Sequence, residues 1–199
     1  MSRNREILCG LLIFSCLAIA AQAQNPFDTF KQFSATIVIS PMPAGREGGG
    51  MKVYRSGDKM RTSMPGGAGY MIMDLDQRTS YMVMNANMCM QTSTPQAQQN
   101  PFSQARNATV ERSAAGTDTV DGHPCKVENL TITPQNGEPH KMKVWEAQDL
   151  KGFPIKIEMQ SSRGPMTIEY KDISFSEPEA SLFTHPDNCR QMPTMPAPH

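Results

Sequence analysis

Apolar residues recur at every second position along most of this chain. Ile155, Ile157 and Met159, for example, alternate with Lys156 and Glu158. A period of two places successive side chains on opposite faces of a strand, whereas an amphipathic helix needs a period near 3.6. The chain is therefore predicted to be mainly β, with one apolar sheet face and one face that carries Lys and Glu.

Short turn signals separate the alternating segments. Ser56-Gly57-Asp58, Asp121-Gly122 and Asn136-Gly137 have the composition of tight hairpin turns. The apolar phase shifts by one residue near Lys171-Asp172, which predicts a β-bulge that bends the sheet. The spacing predicts a single curved antiparallel sheet of about ten strands with little helix.

The N-terminus has the pattern of a secretory signal peptide. Arg3 and Arg5 precede an apolar run over residues 7–20, and Ala21-Gln22-Ala23 has the small residues that a signal peptidase recognises. We expect residues 1–23 to be a signal peptide that is cut after Ala23, and the protein to be periplasmic or secreted. A lipoprotein signal with Cys16 as the lipidated residue is the alternative, but Phe14 fits it poorly.

The remaining chain divides into a β domain over residues 24–190 and a Pro-rich tail over residues 191–199, which is expected to be disordered. No further apolar segment reaches the length of a membrane span, so an integral membrane protein is not expected. The 19 basic and 19 acidic residues cancel. This balance argues against a nucleic-acid partner.

Known catalytic motifs are missing from the sequence. It contains no Gly-x-Ser-x-Gly elbow, no phosphate-binding loop and no His-Glu-x-x-His helix. No pair of a nucleophile and a base stands out either. We therefore expect a protein that is not an enzyme and needs no cofactor.

Three cysteines, Cys89, Cys125 and Cys189, follow the predicted signal peptide. In an oxidising compartment two of them are expected to pair, and sequence alone leaves three pairings open. The interpretation favoured here is a Cys125–Cys189 disulfide, because Cys89 lies within an apolar strand pattern where a free buried thiol is common.

Methionine is the least ordinary component, with 16 residues in the chain. Met82, Met84, Met88 and Met90 fall at even positions of a predicted strand from Thr79 to Gln91, so they share one face. Three interpretations stay open. In these interpretations the methionines pack as a dry core, line an adaptable apolar cavity, or, together with Cys89, bind a soft metal such as Cu(I).

Three segments carry a resemblance to a known group of proteins. They are Gly116-Thr-Asp-Thr-Val-Asp-Gly-His-Pro-Cys125, Val144-Trp-Glu-Ala-Gln-Asp-Leu-Lys-Gly-Phe-Pro-Ile-Lys-Ile157 and Leu182-Phe-Thr-His-Pro186. Together they resemble an uncharacterised family of secreted bacterial proteins related to the LolA/LolB outer-membrane lipoprotein-sorting superfamily. The resemblance implies a half-barrel, a curved antiparallel sheet around an apolar cavity. In the sorting proteins that cavity holds acyl chains.

The favoured hypothesis is a non-catalytic periplasmic protein that binds a lipid or acyl-chain ligand in such a cavity. The alternatives are a copper or soft-metal binding protein that uses Met and Cys ligands, and a structural interaction domain of the envelope. No metal site is predicted under the favoured hypothesis. Its predicted ligand contacts are Met71, Met73, Met82, Met84, Met88, Met90, Phe153, Ile155 and Ile157.

Overall fold

The structure is a computed structural model that describes residues 29–41, 50–85, 88–93, 108–134, 138–161 and 164–191. The predicted signal peptide, the tail from residue 192 onwards and the Asn136-Gly137 turn lie outside the described residues. Within them, the chain forms twelve β-strands. The strands are β1 Gln32–Ser40, β2 Met51–Ser56, β3 Lys59–Ser63, β4 Tyr70–Asp74, β5 Thr79–Asn85, β6 Met88–Ser93, β7 Thr109–Val120, β8 His123–Thr133, β9 His140–Ala147, β10 Phe153–Ser161, β11 Gly164–Ser174 and β12 Arg190–Gln191.

All twelve strands belong to one sheet, in the order β12-β6-β5-β4-β3-β2-β1-β11-β10-β9-β8-β7. Every neighbouring pair is antiparallel except β12 with β6. The part of the chain that is described contains no α-helix, and three short 3-10 turns lie at Pro65–Gly67, Gln148–Leu150 and Ala180–Phe183. The predicted mainly-β fold with one antiparallel sheet and little helix is confirmed.

Strand β1 lies at the centre of the sheet. Strands β2 to β6 follow it outwards on one side, and β11 back to β7 extend from its other side. We call β3–β6 the Met half of the sheet and β1, β2 and β7–β11 the core half. The two halves are joined where β2 pairs with β3.

One predicted strand is two strands in the structure. The segment from Thr79 to Gln91 was expected to run straight, but β5 and β6 pair as an antiparallel hairpin, with Met82 opposite Met90. Asparagine favours turns, and Asn85 is the last residue of β5 before the reversal. This hairpin and β12 bring the strand number above the predicted ten.

The turn and bulge predictions are confirmed where the structure describes them. Asp121 and Gly122 both have positive φ, 52° and 85°, as a two-residue hairpin of the I′ type requires. The register between β1 and β11 shifts between Ser34 and Thr36, opposite the predicted bulge. Asp172 itself has φ 51°. Such a bulge bends its strand and increases the local twist.

The main core covers one face of the core half, which we call the inner face of the sheet. Ile168, Ile157 and Val144 are directly opposite one another on β11, β10 and β9, and all three are buried. Phe153 is fully buried where its ring packs edge-on against those of Phe30 and Phe33. Aromatic rings in such contacts contribute beyond the area that they bury.

Candidate functional site

Four of the six predicted methionines, Met71, Met73, Met82 and Met90, lie together on the inner face of the Met half, and Met84 and Met88 lie beside them at the end of the β5–β6 hairpin, where the register shifts. Residues that are directly opposite in an antiparallel pair share a face, and the pairing runs unbroken from the main core to β6, beyond which Arg190 of the edge strand β12 is paired with Met90. That row consists of Ala35, Val53, Thr62, Met71, Met82 and Met90. Met73 is paired with Met60 and Ser80 in the adjacent row. The Met face is therefore a continuation of the surface that carries the core.

These methionines are only partly covered. Met71, Met73, Met82 and Met90 are half-buried, and Met84 and Met88 are exposed at 43% and 48%. None of the six belongs to the buried core cluster. A cluster of long thioether side chains in this position offers an apolar surface that adapts its shape. The interpretation of the stripe as a dry core does not fit these exposures.

The other three predicted contacts lie elsewhere. Phe153, Ile155 and Ile157 belong to β10, and each is at most 1% exposed. Five steps of the strand order separate β10 from β4. The structure thus divides the predicted contacts into an open Met set and a closed core set. A ligand reaches the core set only if core side chains move.

The outer face of the Met half is closed. Ile72, Val83 and Cys89 point away from the methionines, and all three are at most 4% exposed. Phe183, which is also buried, belongs to the segment that follows β11 and packs beside β3. We call residues 176–191 the C-terminal strap.

A disulfide between Cys89 and Cys189 fastens this strap, and Cys125 is the free, buried cysteine among the described residues. The predicted Cys125–Cys189 pairing is therefore wrong. Because side chains alternate along β6, Cys89 points to the outer face, opposite to Met88 and Met90, and the strap crosses that outer face. Cys125 instead lies in the core, where burial raises the pKa of its thiol and holds it in the protonated, unreactive form.

Further contacts hold the strap in place. Arg61 donates a hydrogen bond of 2.9 Å from Nη1 to the carbonyl oxygen of Leu182, while its guanidinium lies over the Tyr70 ring. The His185 ring stacks on that of Tyr81, with 3.7 Å between centroids. These contacts bury the outer face of the Met half, so its inner face is the one left open.

Gly69 fixes the approach of β4 to β5 beside the exposed methionines. A Cβ atom at this position would lie 2.1 Å from the carbonyl oxygen of Val83 and 2.8 Å from Cα of Met84. Its φ of 142° also disfavours other residues. Only glycine therefore lets the chain pass so close to Met84.

A charged cluster occupies the inner face at the opposite end of the sheet. Arg112 contacts Glu128 at 2.5 Å and Glu146 at 2.8 Å, and Lys126 contacts Glu128 from the other side. Burial alone would raise the pKa of Glu128, but hydrogen bonds from Lys126 and Arg112 outweigh it and hold this pKa below its usual value. The cluster is a satisfied ionic network within the fold.

A groove of about 380 Å³ opens near this end of the core half. Its lining mixes Met142, Met159 and Met166, which are directly opposite one another on β9, β10 and β11, with Lys141, Lys143 and Glu158. Met142 is only 6% exposed and belongs to the main core, against which Met159 and Met166 pack. In this second row, Met142 is therefore engaged in packing, while Met159 and Met166 are half-buried and line the groove.

Sequence reasoning missed the strap and the closed outer face. The signal was present in β4 and β5, where both phases are apolar: Tyr70 and Ile72 alternate with Met71 and Met73. Such a pattern is typical of a strand covered on both faces. Within the described ranges, no three His, Cys, Asp or Glu side chains come together as metal ligands do, and no helix is long and apolar enough to span a membrane.

Neither the scan against protein-family models nor the search of curated proteins finds a match. Among solved structures, the lipoprotein LppX of Mycobacterium tuberculosis is similar, with a TM-score of 0.47 and 11% identity over 77% of this chain and 91% of that one. A LolA superfamily protein of Nitrosomonas europaea has a TM-score of 0.40 and 13% identity over 78% and 91%.

LprF of Mycobacterium bovis is similar at a TM-score of 0.37 and 12% identity, over 77% of this chain and 92% of that one. These structures include the superfamily that the three sequence segments resemble. The likeness is one of overall fold, and it assigns no ligand and no residue. The site described above rests on this chain's own geometry.

Proposed function

We propose that this protein is a non-catalytic binding protein of the bacterial envelope, which holds a lipid or acyl chain against the inner face of the Met half. The observation that carries the proposal is the partial exposure of Met71, Met73, Met82 and Met90 on a face that continues the main core, beside the exposed Met84 and Met88. A soluble protein rarely leaves a contiguous apolar surface open without a binding role.

The chemistry of the face suits an acyl chain. Its paired positions carry Met, Thr and Ser, and neither a carboxylate nor a lysine occurs on the inner face of β4 to β6 among the described residues. Burial of an acyl chain gains about 0.8 kcal/mol for each methylene group removed from water. Flexible thioether side chains accept chains of different length and branching.

Export supports the same proposal. The Cys89–Cys189 disulfide is of the kind that persists in an oxidising compartment such as the periplasm. The N-terminal pattern of residues 1–23 predicts a signal peptide. Proteins that handle lipid in the envelope act in that compartment, where no bulk membrane shields an acyl chain from water.

The test is binding of palmitate, with a fluorescent fatty acid as the reporter, by protein purified from the periplasm and freed of lipid. Met84→Asp combined with Met88→Asp places two charges beside the proposed ligand, and we expect affinity to fall at least about tenfold. Thr117→Asp adds a charge to the exposed part of β7 and serves as the control that should bind normally.

A folded Met84→Asp, Met88→Asp variant that binds palmitate as well as the parent protein would contradict the proposal. No binding by the parent protein would also contradict it, and would favour a structural or protein-interaction role for the Met face. Circular dichroism of all three proteins confirms that the comparison is made between folded chains.

A further inference from the structure

We propose that Met71, Met82 and Met90 form a thioether site for a monovalent soft metal ion, Cu(I) or its analogue Ag(I). The three residues are directly opposite one another on three adjacent strands, β4, β5 and β6. This inference concerns the same face as the proposed lipid site but does not depend on lipid binding.

The register places the three side chains next to one another. Directly opposed residues on neighbouring strands have Cβ atoms about 4.5–5.5 Å apart. Met82 on the middle strand stands between Met71 and Met90, and methionine has three rotatable side-chain bonds. The two outer side chains therefore reach towards the middle one without a change in the backbone.

The burial of the three residues suits an ion that enters from solvent. All three are half-buried, so the site is sheltered yet open, and Met84 and Met88 stand exposed beside it. In the second methionine row, by contrast, Met142 is 6% exposed and is part of the main core. The sulfur of Met142 is committed to packing, so the second row, in which Met159 and Met166 are half-buried, lacks a third accessible thioether and is not expected to bind.

The donor set determines which ion fits. Thioethers are soft, neutral ligands that prefer Cu(I) to hard ions such as Mg²⁺ and Ca²⁺. The residues opposite and next to the triad in the pairing are Thr62, Met73, Ser80, Thr92 and, on β12, the exposed Arg190. None of them supplies the carboxylate or imidazole that Zn²⁺ and Ca²⁺ require.

Cys89 is not a ligand of this site. Its sulfur is joined to Cys189 on the outer face, which removes the thiolate that a mixed Met and Cys site would need. The proposal therefore replaces the mixed donor set considered from the sequence with three thioethers, and it predicts that metal binding survives while the disulfide is intact.

The experiment is a titration of protein from the periplasm with Ag(I), because silver needs no reductant and leaves the disulfide intact. Cys125→Ala is introduced into every protein, since Cys125 is the free thiol of the described chain. With ¹³C-methyl methionine labelling, one Ag(I) should shift the NMR signals of Met71, Met82 and Met90. Native mass spectrometry gives the stoichiometry.

Two triple variants decide the assignment. Met71→Leu with Met82→Leu and Met90→Leu keeps the volume and apolar character of the site but removes its sulfurs, and Ag(I) affinity should fall at least about a hundredfold. Met142→Leu with Met159→Leu and Met166→Leu removes the same number of sulfurs from the second row and should leave affinity unchanged.

The proposal is overturned if the first variant binds Ag(I) like its parent, or if the shifts map to Met142, Met159 and Met166. The lipid proposal is tested on a different variant, Met84→Asp with Met88→Asp, so the failure of one proposal is distinguishable from the failure of the other.

Discussion

The core half and the Met half of this sheet bury opposite faces. In the core half, Val144 and Ile157 are fully buried on the inner face, and the outer face carries charged residues such as Lys143 and Glu169. In the Met half, the outer face is closed by the C-terminal strap and the inner face stays half open. One continuous sheet thus changes its buried side at β3.

The difference shows how a single sheet can combine stability with binding. The core half buries most of its apolar side chains on the inner face, where they form the main core, and it also buries Val127 and Trp145 on the outer side of β8 and β9. The inner face of the Met half is partly exposed and therefore contributes less to stability. The Met half depends instead on the C-terminal strap, which covers its outer face. Because the strap supplies that cover, the methionines are left available to a ligand.

The largest expected effect comes from truncating the core half. Phe153→Ala removes a ring with no solvent exposure, and the free energy of unfolding should fall by about 3–5 kcal/mol. Met82→Ala in the half-buried Met row should cost less than about 2 kcal/mol. Urea denaturation monitors both, and equal losses would mean that the Met half is as closed as the core half.

The next effect tests the cover of the Met half. Cys89→Ala with Cys189→Ala releases the strap, and the free energy of unfolding should fall by about 2–4 kcal/mol. Limited proteolysis should then cut within residues 176–191 first. The matched control is Cys125→Ala, which removes a cysteine outside the disulfide. A strap that stays resistant to protease after the disulfide is lost would show that its other contacts suffice.

The smallest effect concerns the ionic cluster of the core half. The pKa of Glu128 lies below its ordinary value of 4.5, so its charged state stabilises the fold above that pH. This stabilisation is lost as pH falls through the lowered folded-state pKa. Unfolding measured between pH 7 and pH 3 should therefore depend less steeply on pH in Glu128→Gln than in the parent protein.

Glu158→Gln is the control for that measurement, because Glu158 also pairs with a lysine, Lys156, but is 44% exposed at its side chain. Exposed pairs contribute little, so this variant should follow the parent curve. If both variants behave alike, the network around Glu128 does not couple stability to pH in the way that the geometry indicates.

The local sequence pattern was enough to predict the sheet, but not that the C-terminal strap covers the outer face of the Met half. The hairpin at Asp121-Gly122 and the bulge opposite Thr36 follow from residues close in sequence, and such features are decided locally. The disulfide joins residues 100 positions apart. Which cysteine pairs with Cys89 depends on the path by which the strap returns to the sheet. The residues next to Cys89 or Cys189 in the sequence do not indicate that path.

The candidate site, like the fold, was predicted only in part. Strict alternation placed Met71, Met73, Met82 and Met90 on one face, and the register confirms that arrangement. Phe153 has the same apolar pattern, yet it is fully buried among other rings. Period-two alternation tells which face a side chain joins, but not whether that face is closed or open at its position.

The measurement that tests the central claim most directly is a methionine oxidation footprint, in which hydrogen peroxide is added with and without palmitate and each sulfoxide is located by mass spectrometry. Met84 and Met88 should oxidise fastest and Met142 slowest, in line with their exposures of 43%, 48% and 6%. Palmitate should protect Met84 and Met88. Protection of Met159 and Met166 instead, or of no methionine at all, would contradict the account.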